Sequence, residues 1–431
     1  MTNYWTPGDV SGSYQLAETG GADNLGDHLY ASHVSELRRM TPNWFNAAYY
    51  GSGTTDTEIN AACAACHAAG GGVVYVPAGT WTIALPVILY DNMTLLGDGE
   101  ATVIKAADNM AASTITGLGA YNPGLIMNEH WEHDALGEPS NYNINIYSLK
   151  VDGNSANNQT REGLGGISLK GCSAARVENC TALDVYGFAG FYFGGADENQ
   201  GQGSHYHIIG NRAISCYAPT SLTGSGIYIT ATAEYKAFVN SNYVENCGGR
   251  CIFAEDNAAD LQIIGNYVLA TASRGTMHDT ASAGISTGNG DNIIIANNKV
   301  RNISGYGIEV GGDRTVVSGN IVSENGYSGI VVSGTTRCSV VGNVSYNNAQ
   351  ESPASGIFLQ SASTYNTIAN NCCYDNQDVK TQDNGIAEES NTSDHNIYVG
   401  NVLVGNQTNS LSLAGANSIY KTAANDPYNV V

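Results

Sequence analysis

Short apolar runs, each closed by a glycine or an asparagine, repeat along most of the chain. A Gly-Ile-type step marks them: GISLK from Gly166, GFYFG from Gly190, GIYIT from Gly226 and CIFAE from Cys251. It returns as GISTG from Gly284, GIEVG from Gly307, GIVVS from Gly329, GIFLQ from Gly356 and GIAEE from Gly385. Within each step side chains alternate between an apolar set and a mixed set, the period of a strand with one face in a core. An asparagine between two apolar runs keeps the same beat, at Asn179, Asn211, Asn242, Asn266, Asn298, Asn320, Asn343, Asn371 and Asn401. Successive spacings are 32, 31, 24, 32, 22, 23, 28 and 30, so the unit is 22 residues and longer intervals carry insertions.

A unit that short cannot bury its apolar face alone, and stacking supplies the core. Turns piled about 4.8 Å apart pair every strand with its counterpart in the next turn. The pattern predicts an all-β fold, a right-handed parallel β-helix (a solenoid), over Gly166 to Asn409. Ile167, Ile227, Ile285, Ile308, Ile330, Ile357 and Ile386 should form one internal column. A second stack is expected five residues past the asparagines, through Cys216, Cys247, Asn325, Asn348, Asn376 and Asn406. Leucine-rich repeats would need a leucine spacing that is absent.

Ahead of the repeat, residues 57–69 are Ala-rich and predict a short N-terminal helix, able to cap the open end of a solenoid. GGGVVYVPAGTW (Gly70 to Trp81) and then LGDGEATVIK (through Lys105) follow it, and SLKVDGN (Ser148 to Asn154) continues the pattern. A helix, a Gly-rich strand ending in Pro-x-Gly and an LG-x-G rung resemble the opening of the pectate-lyase-like β-helix superfamily. The resemblance covers residues 48–420. It leaves an N-terminal extension at 1–47, which includes HVSELRRM, and a C-terminal tail at 421–431. It implies the fold and a carbohydrate-directed role, since that superfamily includes hydrolases, lyases, epimerases and viral tail-spike depolymerases.

Charged residues are 13 % against 42 % hydrophobic, which describes an ordered protein. The net charge of −22 argues against nucleic acid or an anionic membrane as partner, and against long polyanions without local cations. No stretch of 18 apolar residues is present, and MTNYWTPGDVSGSYQL lacks the basic and apolar regions of a signal peptide. The expectation is an extracellular or virion-associated protein without a signal peptide in the sequence given. Ten cysteines fit no secreted framework. Cys63 and Cys66 (C-x-x-C) fall in the Ala-rich helix, where two small buried residues are the plain reading. Most thiols should be buried and unpaired, with Cys216 and Cys247 adjacent.

In each Gly-Ile step the isoleucine points inward and the residues one and three places later point outward. That face then carries Ser168 and Lys170, Tyr192, Tyr228 and Thr230, Phe253 and Glu255, Ser286, Glu309, Val331, and Phe358 with Gln360. Aromatic faces receive sugar C–H surfaces, and carboxylates bind hydroxyls. The expected substrate is a polysaccharide or oligosaccharide across Tyr192, Tyr228 and Phe253, with Lys170, Arg250 and His278 as further binding residues. Glu255 and Glu309 are the expected acid–base pair, with Asp256 and Asp313 as alternates. Taken as two rungs apart in register, their backbones would be about 9–10 Å apart, which suits inverting hydrolysis with its carboxyl groups about 6.5–9.5 Å apart. The expected walls of the groove are the insertions Ala196 to His207 and Ala272 to Ala283.

Elimination or epimerisation of a uronate needs a proton-transfer residue and cationic groups instead. Tyr192, Tyr228, His205, His207, Arg250 and Lys170 are the candidates. DVYGFAGFY from Asp184 resembles the mannuronan C5-epimerase site Y-G-F-D-P-H-E in its first three residues. It departs where Ala189 and Gly190 replace Asp and Pro. The scarcity of basic residues favours a neutral or weakly charged glycan and a glycoside hydrolase. A non-catalytic glycan-binding spike, with the homotrimer that a tail spike implies, is the rival reading. No cofactor is required and no metal ligand set is assigned, although Asn289–Asn292 (NGDN) offers Ca2+-type ligands or simple Asx turns.

Overall fold

The computed structural model describes residues 43–110, 124–131, 141–158, 164–187, 189–195, 205–217, 224–230, 236–255, 258–271, 283–390 and 392–421. The segments holding Asp256, His278 and HVSELRRM lie outside them, as do 196–204 and 272–282 of the two expected groove walls. The solenoid begins at Trp44.

Three long parallel sheets make up the solenoid, with 14, 12 and 12 strands among the described residues. Each turn visits them in a fixed order, as in Ile294–Ala296 (first sheet), Lys299–Arg301 (second sheet) and Tyr306–Val310 (third sheet). The next turn re-enters the first sheet at Val316–Ser318, giving the right-handed parallel β-helix that the repeat predicts. The isoleucine column is as expected. Register links Ile167, Phe191, Ile227, Ile252, Ile285, Ile308, Ile330, Ile357 and Ile386 in sequence on the third sheet. All seven predicted members are fully buried.

Helix α1 (Asp56–Ala68) caps the first rungs, burying Ile59, Ala62, Cys63 and Cys66. Thr55 and Glu58 form its capping box. Asn60 ties it to the next strand, donating to Pro86 O at 2.9 Å and accepting from Ile88 N at 2.9 Å.

The asparagine ladder runs from Asn211 through Asn242, Asn266, Asn298, Asn320, Asn343 and Asn371 to Asn401. Each Oδ1 accepts the backbone N–H of the ladder residue one rung earlier at 2.9–3.0 Å. Each Nδ2 donates to a carbonyl of the preceding rung, as Asn343 does to Val317 O at 2.9 Å. Buried amides are thereby satisfied by one another. Asn179 is a correction to the expected list. It occupies the left-handed position (φ 54°) that precedes the ladder, and Cys180 holds the ladder site. Either position accepts asparagine, since Asn297 and Asn370 also adopt the left-handed conformation there.

The second stack also differs at one rung. Asn325 and Asn348 are bonded at 2.9 Å, but the next member is Gln382, which accepts from Asn348 and donates to Asn406 at 2.7 Å. Asn376 turns outward to Asn347 instead, at 2.8 Å. This stack and the second-sheet core beside it explain the glycine of the Gly-Ile step. A Cβ at Gly190 would stand 2.7 Å from Cys216 Sγ, and one at Gly307 2.7 Å from Asn325 Nδ2 and closer still to Val322 Cγ1. The glycine leaves room for the stacked side chain beneath it.

All ten cysteines are free, and only Cys372 is not fully buried. Cys216 and Cys247 are neighbours in the stack, and their mutual contact, followed by burial, raises the Cys216 thiol. Burial raises Cys66 to about 11. Native protein is therefore expected to react with a thiol reagent at Cys372 first, and at all ten thiols once unfolded without reductant. A lower count in unfolded, unreduced protein would reveal disulfides.

Candidate active site

The outward positions of the third sheet form a column in strict register: Ser168, Tyr192, Tyr228, Phe253, Ser286, Glu309, Val331 and Phe358. Glu309 is thus level with Phe253, not with Glu255. Glu255 follows Phe253 by two residues, just past the end of the strand Arg250–Ala254 and beside the rung that continues to Gly288. The expectation of an in-register pair is corrected by this offset. Two rungs combined with two residues put the glutamate backbones roughly 12 Å apart.

Both glutamates nevertheless line one cleft of about 330 Å³, with Arg250, Phe253, Ser286 and Thr287 around them. Tyr228 donates its hydroxyl to Glu255 Oε2 at 2.7 Å. Ser286 Oγ donates to Glu309 Oε2 at 2.8 Å, and Arg250 Nε lies 3.6 Å from the same oxygen. The Arg250 guanidinium sits 4.4 Å above the Phe253 ring, so one cation serves both the aromatic floor and the carboxylate.

Phe253 and Tyr228 stack at 5.0 Å, and Tyr192 meets Tyr228 edge-on at 5.6 Å. These rings point outward as expected, yet they are only 6–8 % exposed. An open aromatic platform is therefore corrected to a packed aromatic wall. Part of the cover is Trp131, whose ring is 5.9 Å from Tyr192 and whose Nε1 donates to Ser168 Oγ at 2.7 Å. Lys170 lies over Trp131 at 5.1 Å, near the wall and away from the two glutamates. Sequence reasoning missed Trp131. Its one signal was a lone tryptophan among charged residues (NEHWEHD) just after the strand Ile126–Asn128.

Burial, then the hydrogen bond to Glu255, push the Tyr228 phenol far above its usual range. Tyr228 is thus a proton-bearing donor. Among the other candidates, Asp313 lies on the turn leading to the first sheet, where it accepts from Thr336 N at 2.6 Å and Thr336 Oγ1 at 2.9 Å. His207 belongs to the first sheet and stacks on Phe238 at 4.9 Å, so it is not brought to the cleft. In the NGDN turn, Asp291 accepts from Asp313 N at 2.9 Å and pairs with Arg314. Among the described residues no three His, Cys, Asp or Glu side chains converge as a metal site would require. A second cleft, of about 490 Å³, continues along the same sheet past Tyr306, Tyr327 and Phe358.

A family model described as rhamnogalacturonase A/epimerase, pectate lyase-like, matches residues 44–260, half of the chain. The chain belongs to that pectate lyase-like family. A right-handed β-helix model matches residues 262–426 of this pectate lyase-like chain. The resemblance carried by Gly70 to Trp81 and Leu95 to Lys105 is borne out. No curated protein sequence matches. Among solved structures, the A-module of mannuronan C-5 epimerase AlgE4 from Azotobacter vinelandii is similar at 19 % identity and a TM-score of 0.64, covering 88 % of this chain and 100 % of that one. The Dettilon tailspike protein is 17 % identical with a TM-score of 0.63, over 92 % of this chain and 71 % of its own. DFA-IIIase from Arthrobacter chlorophenolicus is 15 % identical with a TM-score of 0.60, over 86 % and 98 %. At these identities the likeness is one of fold. It joins this pectate lyase-like chain to a β-helix scaffold found in carbohydrate-acting proteins.

Proposed function

We propose that the protein is a glycoside hydrolase that cleaves a neutral or weakly charged polysaccharide at the cleft between Glu255 and Glu309. The observation that carries this reading is that both carboxylates line one cleft beside an aromatic wall, each held by a neighbouring hydroxyl. Backbones roughly 12 Å apart allow side chains leaning into one cleft to reach the about 6.5–9.5 Å that an inverting pair needs for an intervening water. In this assignment Glu309, with Arg250 beside it, takes the proton of the attacking water. Glu255 gives a proton to the departing sugar oxygen, with Oε2 held by Tyr228 and Oε1 left to carry the proton. The glycan would continue along the third sheet toward Tyr306 and Tyr327.

Among the described residues Arg250 is the one cation lining this cleft, which supports a neutral substrate in a chain of net charge −22. Elimination or epimerisation of a uronate would ask a residue here to accept a proton, and Tyr228 is the less suited for its raised phenol. A panel of neutral and uronate polysaccharides tests the proposal. New reducing ends without ultraviolet absorbance from an unsaturated uronate are the expected result. Absorbance would reassign the chain to elimination, and binding without either product to a non-catalytic glycan receptor of the tail-spike kind.

A further inference from the structure

We infer that an acid-free, largely apolar flank on the first and second sheets seats a second copy of this chain. Six consecutive rungs build it: residues 262–269, 294–301, 316–323, 339–346, 367–374 and 397–404. In a protein with 39 Asp and Glu, none of these 48 positions is acidic. Each rung crosses the corner between the two sheets through a Gly-Asn or Asn-Asn pair, so the acid-free strip is continuous from one sheet to the other.

Outward alternation places aliphatic side chains where a solvated sheet would carry polar ones. Ile294, Val316, Ile397 and Val399 on the first sheet are 37–40 % exposed. On the second sheet Ile321, Val402 and Val404 are 42–48 % exposed. Register aligns Ile294 with Val316 on adjacent rungs, and Ile397 with Ile419 of the rung beyond. Charged residues just outside these positions edge the strip, with Asp291 and Arg314 on one side and Glu324, paired with Arg301, on the other. An apolar centre with a polar rim is the anatomy of a protein interface.

Charge identifies the occupant. Two copies carrying −22 each repel over most of their surfaces, and opposed carboxylates would penalise contact elsewhere. This flank brings none together, and its two cations are already engaged, Lys299 over the Tyr267 ring and Arg301 with Glu324. Its extent also fits. Six rungs span about 24 Å along the axis and eight residues about 26 Å of contour, on the order of 600 Å², against about 800 Å² per partner in a standard interface.

Sedimentation velocity of the full chain from low to high micromolar concentration tests the inference. The expected result is concentration-dependent association, weakened about tenfold or more by Val316→Glu or by Val402→Glu, one on each sheet. Val379→Glu, at an 80 % exposed position off the flank, should leave association unchanged. Circular dichroism and protection of the buried thiols report whether each variant is folded. Should one misfold, Ile321→Glu takes its place. A chain that stays monomeric at every concentration overturns the inference, as does association that both flank variants leave intact. Either result would hand the flank to an unrelated protein.

Discussion

Glu255→Gln and Glu309→Gln are each expected to lower kcat on a cleaved glycan by about 10²–10⁴-fold, the range of general acid–base catalysis. Glutamine keeps the shape of the side chain and can still accept from Tyr228 or Ser286, while it neither gives nor takes the proton. Affinity for the glycan and the unfolding midpoint should change little, since both glutamates sit at the mouth of the cleft and not in the core. Loss of rate with retained binding separates an acid–base role from a structural one. Arg250→Ala should differ in kind. It removes the ion pair with Glu309 and the stacking on Phe253 together. Near-full activity in both glutamine variants would overturn the assignment.

Asn343→Ala is expected to destabilise the solenoid by about 3 kcal/mol or more, measured by denaturant unfolding. Asn343 Oδ1 accepts the Asn320 N–H at 3.0 Å, and its Nδ2 donates to Val317 O and to Asn371 Oδ1, each at 2.9 Å. Truncation leaves several buried polar groups without partners, at about 1–3 kcal/mol for each one unsatisfied. Asn343→Asp should cost still more, because a carboxylate cannot donate to Val317 O or to the Asn371 oxygen. Asn347→Ala, at a half-buried turn position bonded to Asn376, is the comparison, and its loss should fall well below either. Equal effects at the two positions would mean that the ladder contributes no more than a turn amide.

The fold was legible because a stacked unit must repeat its in-and-out alternation, and Gly-Ile steps repeat it in plain view. Local identity was less legible where two neighbouring positions accept the same residue. Asn179 shows this, for both the left-handed corner and the ladder site tolerate asparagine, and only the pairing of Cys180 with Asn211 separates them. At Asn376 the reason is different. A side chain from beyond the turn, Gln382, reaches into the stack and displaces the residue with the right spacing.

The site was legible in its direction and not in its depth. Alternation correctly sent Tyr192, Tyr228, Phe253, Glu255 and Glu309 outward. Outward on a solenoid is not the same as exposed, because a remote segment can cover the sheet, as Trp131 does. The relation between the glutamates needed the register. Glu309 follows its core isoleucine by one place and Glu255 follows Ile252 by three, which shifts the pair sideways.

The corner between the first and second sheets is two residues long in every described rung from Asn145–Tyr147 to the rung ending at Val404. One extra residue there would displace the ladder amide and invert the faces of the strand that follows. The first two rungs have corners of three and five residues there, and from Asn145 onward length variation is confined to the other two corners, which flank the third sheet and its cleft. The molecule separates an invariant spine from edges where added segments alter only what the cleft meets. A new carbohydrate preference can arise by lengthening those edges, with no change to the residues that hold the coil together.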